Sequence, residues 1–425
     1  MSVDEAAQQH NGAQQRPGLG SFALGPVEVD YERRIGFHEL REDRFERARA
    51  ALAESDLDAL LLWKDENVRF VSGLRAQIIQ GKSTQLNGCL LTADGELVLF
   101  LSGGEMARAE VVMPWARDLQ MIPIMEARGL IAGAVDNSIA PTIQRLDLTG
   151  GRIGIDELSI AQLRELERAL PDIEIGDGDA LMQSVRLIKT PAEIAVMQEA
   201  SAIAEAVTQT AIDTVGIGVR EYEVVAEAMR TLYRLGGEMA HVSSPFVASG
   251  EHLSPPNRLA SDKLIREGDL VYIDIGAMWN GYYSDMGRTV VCGKPNKRQQ
   301  EVYTAVYHGL MKGTEAMKTG NTNDDVAAVI NGEGEKHGFG SDFISLFIGH
   351  GIGMGANEPP YVGEALPGAE TVVLEPGMTM AVEPLIWIPD VPGGAGIRLE
   401  DTIVVTDDGG VSLTRTAFDD RLLLG

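Results

Sequence analysis

Apolar positions along the first part of the chain switch repeatedly between a helical spacing and short unbroken runs. Over 31–179 this alternation is what an α/β domain requires. Residues 39–54 carry the helical spacing, 57–63 form an apolar run suited to a buried strand, and 88–102 read as a hairpin turning at Ala93-Asp94-Gly95. Further strands are predicted at 120–125 and 152–156, with helices at 130–145 and 160–170. No nucleophile, metal-ligand cluster or phosphate loop stands out here, so this part reads as a structural or dimerising domain. Residues 1–17 are rich in Gln, Ala and Gly and poor in large apolar side chains, as in a mobile arm. The expected organisation is an arm at 1–30, a first domain at 31–180 and a second at 181–425, with the boundary near 180–189.

The second domain opens on Thr190-Pro191-Ala192-Glu193, a helix start with a capping hydroxyl, a proline in the first turn and a carboxylate to complete the box. From there one plan occurs twice. Helices at 192–215 and 221–235 end at Gly216 and Gly236; helices at 299–318 and 324–337 end at Gly320 and Gly338. A strand then follows a glycine in each copy, with an acid six residues after it: Gly268 and Asp274, Gly377 and Glu383. Each strand is matched by a following one, 285–292 or 398–406, which carries Asp285 or Glu400 at its start.

Acids within apolar strands cost several kcal/mol each to desolvate unless something pairs with them. If the two hairpins face each other across a pseudo-twofold axis, Asp274, Asp285, Glu383 and Glu400 converge, and divalent cations are the natural counter-charge. His350, in Gly349-His350-Gly351-Ile352-Gly353, supplies one nitrogen. An oxygen-rich set with one imidazole suits two ions of Mn, Co, Fe(II) or Zn, with Mn preferred, at the roughly 3.5–4 Å spacing that bridging carboxylates permit.

Composition narrows the partners. The 425 residues include 36 basic and 63 acidic side chains, a net charge of −27, which opposes nucleic acid and anionic membranes. The two cysteines, Cys89 and Cys292, form no metal-binding or disulfide pattern, and no apolar run reaches the roughly 18 residues that span a bilayer. A cytoplasmic location is expected. His308 and His337, on separate predicted helices, read as structural residues.

The segments Tyr272-Ile273-Asp274-Ile275-Gly276, Tyr283-Ser284-Asp285-Met286-Gly287-Arg288-Thr289, Gly349-His350-Gly351-Ile352-Gly353, Val382-Glu383-Pro384 and Ile397-Arg398-Leu399-Glu400-Asp401 resemble, in order and spacing, the pita-bread metalloenzymes: aminopeptidase P, prolidase, methionine aminopeptidase and their non-peptidase relatives. The resemblance implies a mixed α/β (α+β) protein, with a creatinase/prolidase-type amino-terminal domain ahead of a pseudo-twofold pita-bread domain, in a homodimer. It implies that Asp274 chelates one ion, that Asp285 and Glu400 bridge both, and that His350 and Glu383 hold the second. It further implies that Glu383 shuttles a proton and that Arg398 orients carboxylates.

Two substrate-side positions depart from the peptidase pattern, and Gly287 is a third, slighter departure. Asn257, seven residues after Gly250, and Asn357, seven after His350, stand where Xaa-Pro-cleaving relatives usually carry histidine. An amide donates hydrogen bonds but relays no proton near neutral pH. Gly287 replaces a common threonine. His241, His252 and Tyr361 are the nearby candidates to take over from the missing imidazoles. The expected function is metal-dependent hydrolysis of an amide-type C–N bond in a dipeptide or another small polar substrate. The alternatives are a dimethylsulfoniopropionate lyase-like elimination from a small zwitterion, or a binding protein that kept the fold without its chemistry.

Overall fold

The computed structural model describes residues 35–76, 86–254, 259–340, 348–363 and 370–424. The chain divides into two compact units between Arg186 and Leu187. In the first, α1 (Phe37–Glu54) leads to β1 (Ala59–Leu62), α2 (Asp65–Ser72), the hairpin strands β2 (Asn87–Thr92) and β3 (Leu97–Leu101), α3 (Gly103–Val112) and β4 (Asp118–Met121). Helix α4 (Arg128–Ala134) continues through a π turn (Val135–Ile139) into Ala140–Arg145, followed by β5 (Arg152–Ile155), α5 (Ile160–Ala169), β6 (Glu174–Asp177) and α6 (Gly178–Leu187).

The six strands form one mixed sheet in the order β4-β3-β2-β1-β5-β6. The apolar run at 57–63 supplies a central strand because β1 is buried at all four positions, pairing antiparallel with β2 and parallel with β5. Trp63 stacks on Phe100 in this core at a centroid distance of 6.1 Å. A Cβ at position 88 would lie 2.5 Å from the Trp63 ring, so glycine there makes room for the indole. The strand predicted at 120–125 is shifted to Asp118–Met121: Ile122 makes the last backbone bond to Leu101, and Pro123 has no N–H to continue. Helices α2 and α3 escaped prediction because each is short, and α3 begins on Gly103-Gly104, a turn-like pair.

The second unit begins with α7 (Pro191–Thr214), whose capping box forms as expected: Thr190 N donates to Glu193 at 2.9 Å, and Glu193 N to the Thr190 hydroxyl at 3.3 Å. Then come α8 (Glu221–Arg234), β7 (Phe246–Ser249), β8 (Leu270–Asp274), the short ribbon β9 (Ala277–Trp279) with β10 (Tyr282–Ser284), and β11 (Gly287–Val291). The plan recurs in α9 (Lys297–Ala316), α10 (Asn323–Lys336), β12 (Gly349–Gly351), β13 (Glu358–Val362), β14 (Thr379–Val382), the ribbon β15 (Leu385–Trp387) with β16 (Gly396–Arg398), β17 (Asp401–Val405) and β18 (Gly410–Ser412). The larger sheets are β11-β8-β7 and β13-β12-β14-β17-β18. Val302, Val306, Leu310, Ile330, Met380 and Ile403 help form the buried core between the helices and the second sheet.

The ribbons correct the expectation of acids within continuous strands. Asp274 is the last residue of β8, while Asp285, Glu383 and Glu400 occupy joints just outside the strands. Each half therefore runs strand, acid, ribbon, acid, strand. Asn280-Gly281, with both residues in the left-handed region (φ +47° and +84°), turns the first ribbon and is a hairpin signal present in the sequence. Among the described residues no helix is long and apolar enough to cross a membrane.

Candidate metal centre

Strand register gathers the five candidate ligands into one layer. Asp274 lies opposite Gly287, and Gly287 and Glu400 exchange backbone hydrogen bonds of 3.3 and 3.0 Å that stitch one ribbon base to the other. Val382 pairs with Gly349 on one side and with Asp401 on the other, so Glu383, His350 and Glu400 are each one residue from this row. A Cβ at Gly287 would come within 3.0 Å of a Glu400 carboxylate oxygen, so its missing side chain lets Glu400 press inward. Asp285 is anchored through its backbone: its N–H donates to the Thr402 hydroxyl at 2.9 Å, and that hydroxyl donates to its carbonyl at 2.7 Å.

All five are almost wholly buried, with exposures of 2% for Asp274, 3% for Asp285, 4% for His350, 3% for Glu383 and 1% for Glu400. Four carboxylates thus share a buried site with the guanidinium of Arg398, whose Nη1 lies 2.7 Å from Glu383 Oε2 and 3.9 Å from Asp274 Oδ2. The Tyr272 hydroxyl donates to Asp274 Oδ2. Burial, reinforced by neighbouring carboxylates, lifts Asp285 and Glu400 well above the usual carboxylate range. Asp274 Oδ1, Asp285 Oδ1 and Glu400 Oε2 are buried without a hydrogen-bond partner. Leaving such atoms unsatisfied costs about 1–3 kcal/mol each. Cations would satisfy the lone pairs and the excess charge together, and oxygens and nitrogen from Asp285, Glu400 and His350 already lie within 4.8 Å of one another. The donor set fits divalent metal.

Two imidazoles enter the site in opposite tautomers. His350 Nδ1 lies 2.9 Å from the Gly351 carbonyl, which can only accept, so Nδ1 carries the proton. Its Nε2 lone pair is thereby turned toward Glu383 Oε1 at 3.6 Å and Asp285 Oδ2 at 3.8 Å, the orientation a ligand needs. His241 Nδ1 instead accepts from the Gly276 N–H at 2.8 Å, which puts the neutral ring's proton on Nε2, 3.4 Å from Asp274 Oδ1. Burial holds His241 below the ordinary imidazole value, favouring this neutral form.

The remaining candidates are placed differently. His252 turns to the buried Glu221, with Nδ1 3.4 Å from Oε1, because its short helical turn follows the Ser249 that Glu221 holds. Asn257 lies outside the described residues. Asn357 is exposed, immediately before β13, and Tyr361 is half-buried opposite His350 in the β12–β13 ladder. Sequence reasoning passed over Tyr272, two residues before Asp274 on the same strand face. It also missed the buried Lys189–Glu358 pair, 2.9 Å apart. The Gly355 N–H donates to the other Glu358 oxygen at 3.3 Å, so this pair braces the turn that carries Asn357. Only the position of Glu358 beside Asn357 hinted at this; its lysine partner is 169 residues away.

The description of metallopeptidase family M24 matches residues 195–407, and that of the creatinase/prolidase N-terminal domain matches 44–188. The chain is 30% identical over 378 residues to an Xaa-Pro dipeptidase of Pyrococcus furiosus, covering 88% of this chain and 98% of the relative. It is 28% identical to the uncharacterized peptidase YqhT of Bacillus subtilis, with 88% and 98% covered. Among solved structures, an Xaa-Pro dipeptidase from Bacillus anthracis superposes with a TM-score of 0.75 at 27% identity, covering 89% of this chain and 99% of that one. A dipeptidase from Pyrococcus horikoshii OT3 gives 0.75 at 28% identity, with 88% and 99% covered.

Proposed function

The chain belongs to metallopeptidase family M24 and is a metallohydrolase; from that premise we propose that it holds two divalent ions, preferably Mn, among Asp274, Asp285, His350, Glu383 and Glu400, and hydrolyses an amide-type C–N bond in a dipeptide or dipeptide-sized polar substrate. The observation that carries this reading is the trio of orphaned buried oxygens on Asp274, Asp285 and Glu400. They are unsatisfied in a site where two carboxylates are driven toward protonation.

When bound, such ions supply Lewis acidity toward a carbonyl oxygen and a water acidic enough to act near neutral pH. The chain's own groups complete the chemistry. Arg398 holds Glu383 Oε2 at 2.7 Å and leaves Oε1 toward the site, where it takes a proton and returns it to the departing nitrogen. Tyr272 donates to Asp274 Oδ2 and fixes its rotamer, leaving Oδ1 open with His241 Nε2 3.4 Å away. Asparagine at 257 and 357, in place of imidazoles, would offer a substrate neutral amide hydrogen bonds only. We therefore expect Xaa-Pro dipeptides to be cleaved poorly compared with another small amide.

The test is turnover by Mn-loaded protein against Xaa-Pro dipeptides, other dipeptides, N-acyl amino acids, cyclic amidines and sulfonium zwitterions, with products read by mass. Metal-dependent addition of one water to an amide supports the proposal. A product formed without added water, or no metal-dependent turnover across the panel, rejects it.

A further inference from the structure

Helices α9 and α10 pack side by side on the second unit and bring together two histidines that the sequence places 29 residues apart. His308 Nδ1 and His337 Nε2 face each other at 3.0 Å, with their ring centroids 5.1 Å apart. Glu333 stands one turn before His337, at the four-residue spacing that puts both on one helix face. One ligand atom from each of the three lies within 4.8 Å of the others. We propose that His308, Glu333 and His337 form a second metal site, independent of the buried centre, which takes a zinc-class ion and ties α9 to the end of α10.

The chemistry suits such an ion. Two imidazole nitrogens and one carboxylate oxygen are a borderline-soft set that selects Zn, Co, Ni or Cu over Mg and Ca. Two ligands on a tetrahedral zinc with bonds of roughly 2.0–2.1 Å stand about 3.3 Å apart, so the observed pair needs to open by only a few tenths of an ångström. His308 is exposed, so solvent rather than packed protein lies on its outer side and an adjustment of that size meets little resistance. Burial, and then the facing His308 ring, hold His337 below the ordinary imidazole value, which keeps it in the neutral form that binds metal. Glu333 is mostly buried, with 11% side-chain exposure, so its carboxylate is already oriented. Its present partner is the Lys336 ammonium at 2.5 Å, on a side chain 71% exposed that can swing into solvent when an ion replaces it. Solvent completes the coordination shell.

The experiment uses the full chain, saturated with ZnCl2, desalted and analysed for zinc per chain. The His308→Ala/His337→Ala double variant should carry one equivalent less than wild type while keeping hydrolase activity. Asp285→Ala, which disables the buried centre, should retain that equivalent. Lys336→Gln removes the competing ammonium and should bind this zinc more tightly, and zinc should raise the thermal midpoint of wild type above that of the double variant. Equal zinc content in wild type and the double variant overturns the proposal, as does a Lys336→Gln variant that binds no more tightly.

Discussion

Glu221 and Glu400 are both buried carboxylates in the second unit, at 0% and 1% exposure, yet they serve opposite ends. Glu221 is closed: the backbone N–H and hydroxyl of Ser249 donate to one oxygen, both at 2.8 Å, and those of Ser261 to the other at 2.9 and 2.7 Å. It fastens both ends of the segment 249–261. Glu400 is open, with Oε2 lacking any partner. Its neighbour Asp401 turns to the opposite face, where one of its oxygens accepts from Arg288 at 2.8 Å and from the Thr414 hydroxyl at 2.7 Å. Burial of an acid therefore does not by itself mark a functional site. What sets Glu400 apart is its unused oxygen among three neighbouring carboxylates, because a carboxylate with both oxygens taken has nothing left to offer a ligand.

The sharpest way to break this contrast is Asp285→Ala. We expect metal uptake at the buried centre and turnover to vanish while circular dichroism reports a folded chain; normal turnover would refute the assignment. Glu221→Ala should do the reverse, lowering stability by about 3 kcal/mol because several donors lose their acceptor, with metal stoichiometry unchanged in the folded fraction. Denaturant melts and elemental analysis on the same samples separate the two.

Proton linkage sharpens the comparison further. Asp285 and Glu400 have folded-state pKa values raised by burial, so the metal-free fold binds more protons than the unfolded chain does. Their favourable contribution is complete below the unfolded carboxylate value of about 4 and is lost as pH rises through the folded values. Chelated protein should melt progressively lower from pH 4 to 8, and Mn should flatten that slope; a metal-free slope of opposite sign would contradict the open-carboxylate picture. His241→Ala removes an imidazole beside Asp274 that is not one of the five proposed ligands, and should weaken metal binding about 10–100-fold without unfolding the chain. Calorimetric titration with Mn measures this. Gly287→Ala, with its Cβ 3.0 Å from the Glu400 carboxylate, should have the smallest effect, about 1 kcal/mol of metal affinity as Glu400 shifts by a few tenths of an ångström. Unaltered affinity would mean that the carboxylate has more room than this spacing suggests.

Much of this was legible in the residues themselves. The capping box at Thr190, the buried run that became β1 and the doubled order of helices and acids are local signals, each governed by residues a few positions apart. The first ribbon was legible too, through Asn280-Gly281, but the acids on either side suggested uninterrupted strands instead. His241 and His252 looked equivalent as candidates, and nothing local separates them. One is fixed by the Gly276 N–H, 35 residues on, beside Asp274; the other faces Glu221.

The sequence by itself determined the donor types and their order, because acids recurring at matched offsets in apolar surroundings are too costly to tolerate without a counter-charge. Only the tertiary structure decided which carboxylate oxygens stay open, which imidazole nitrogen carries its proton, and that His308 meets His337. Those outcomes depend on whether a particular N–H, carbonyl or hydroxyl from a distant segment arrives within about 3 Å, and hydrogen bonding falls away steeply beyond that reach.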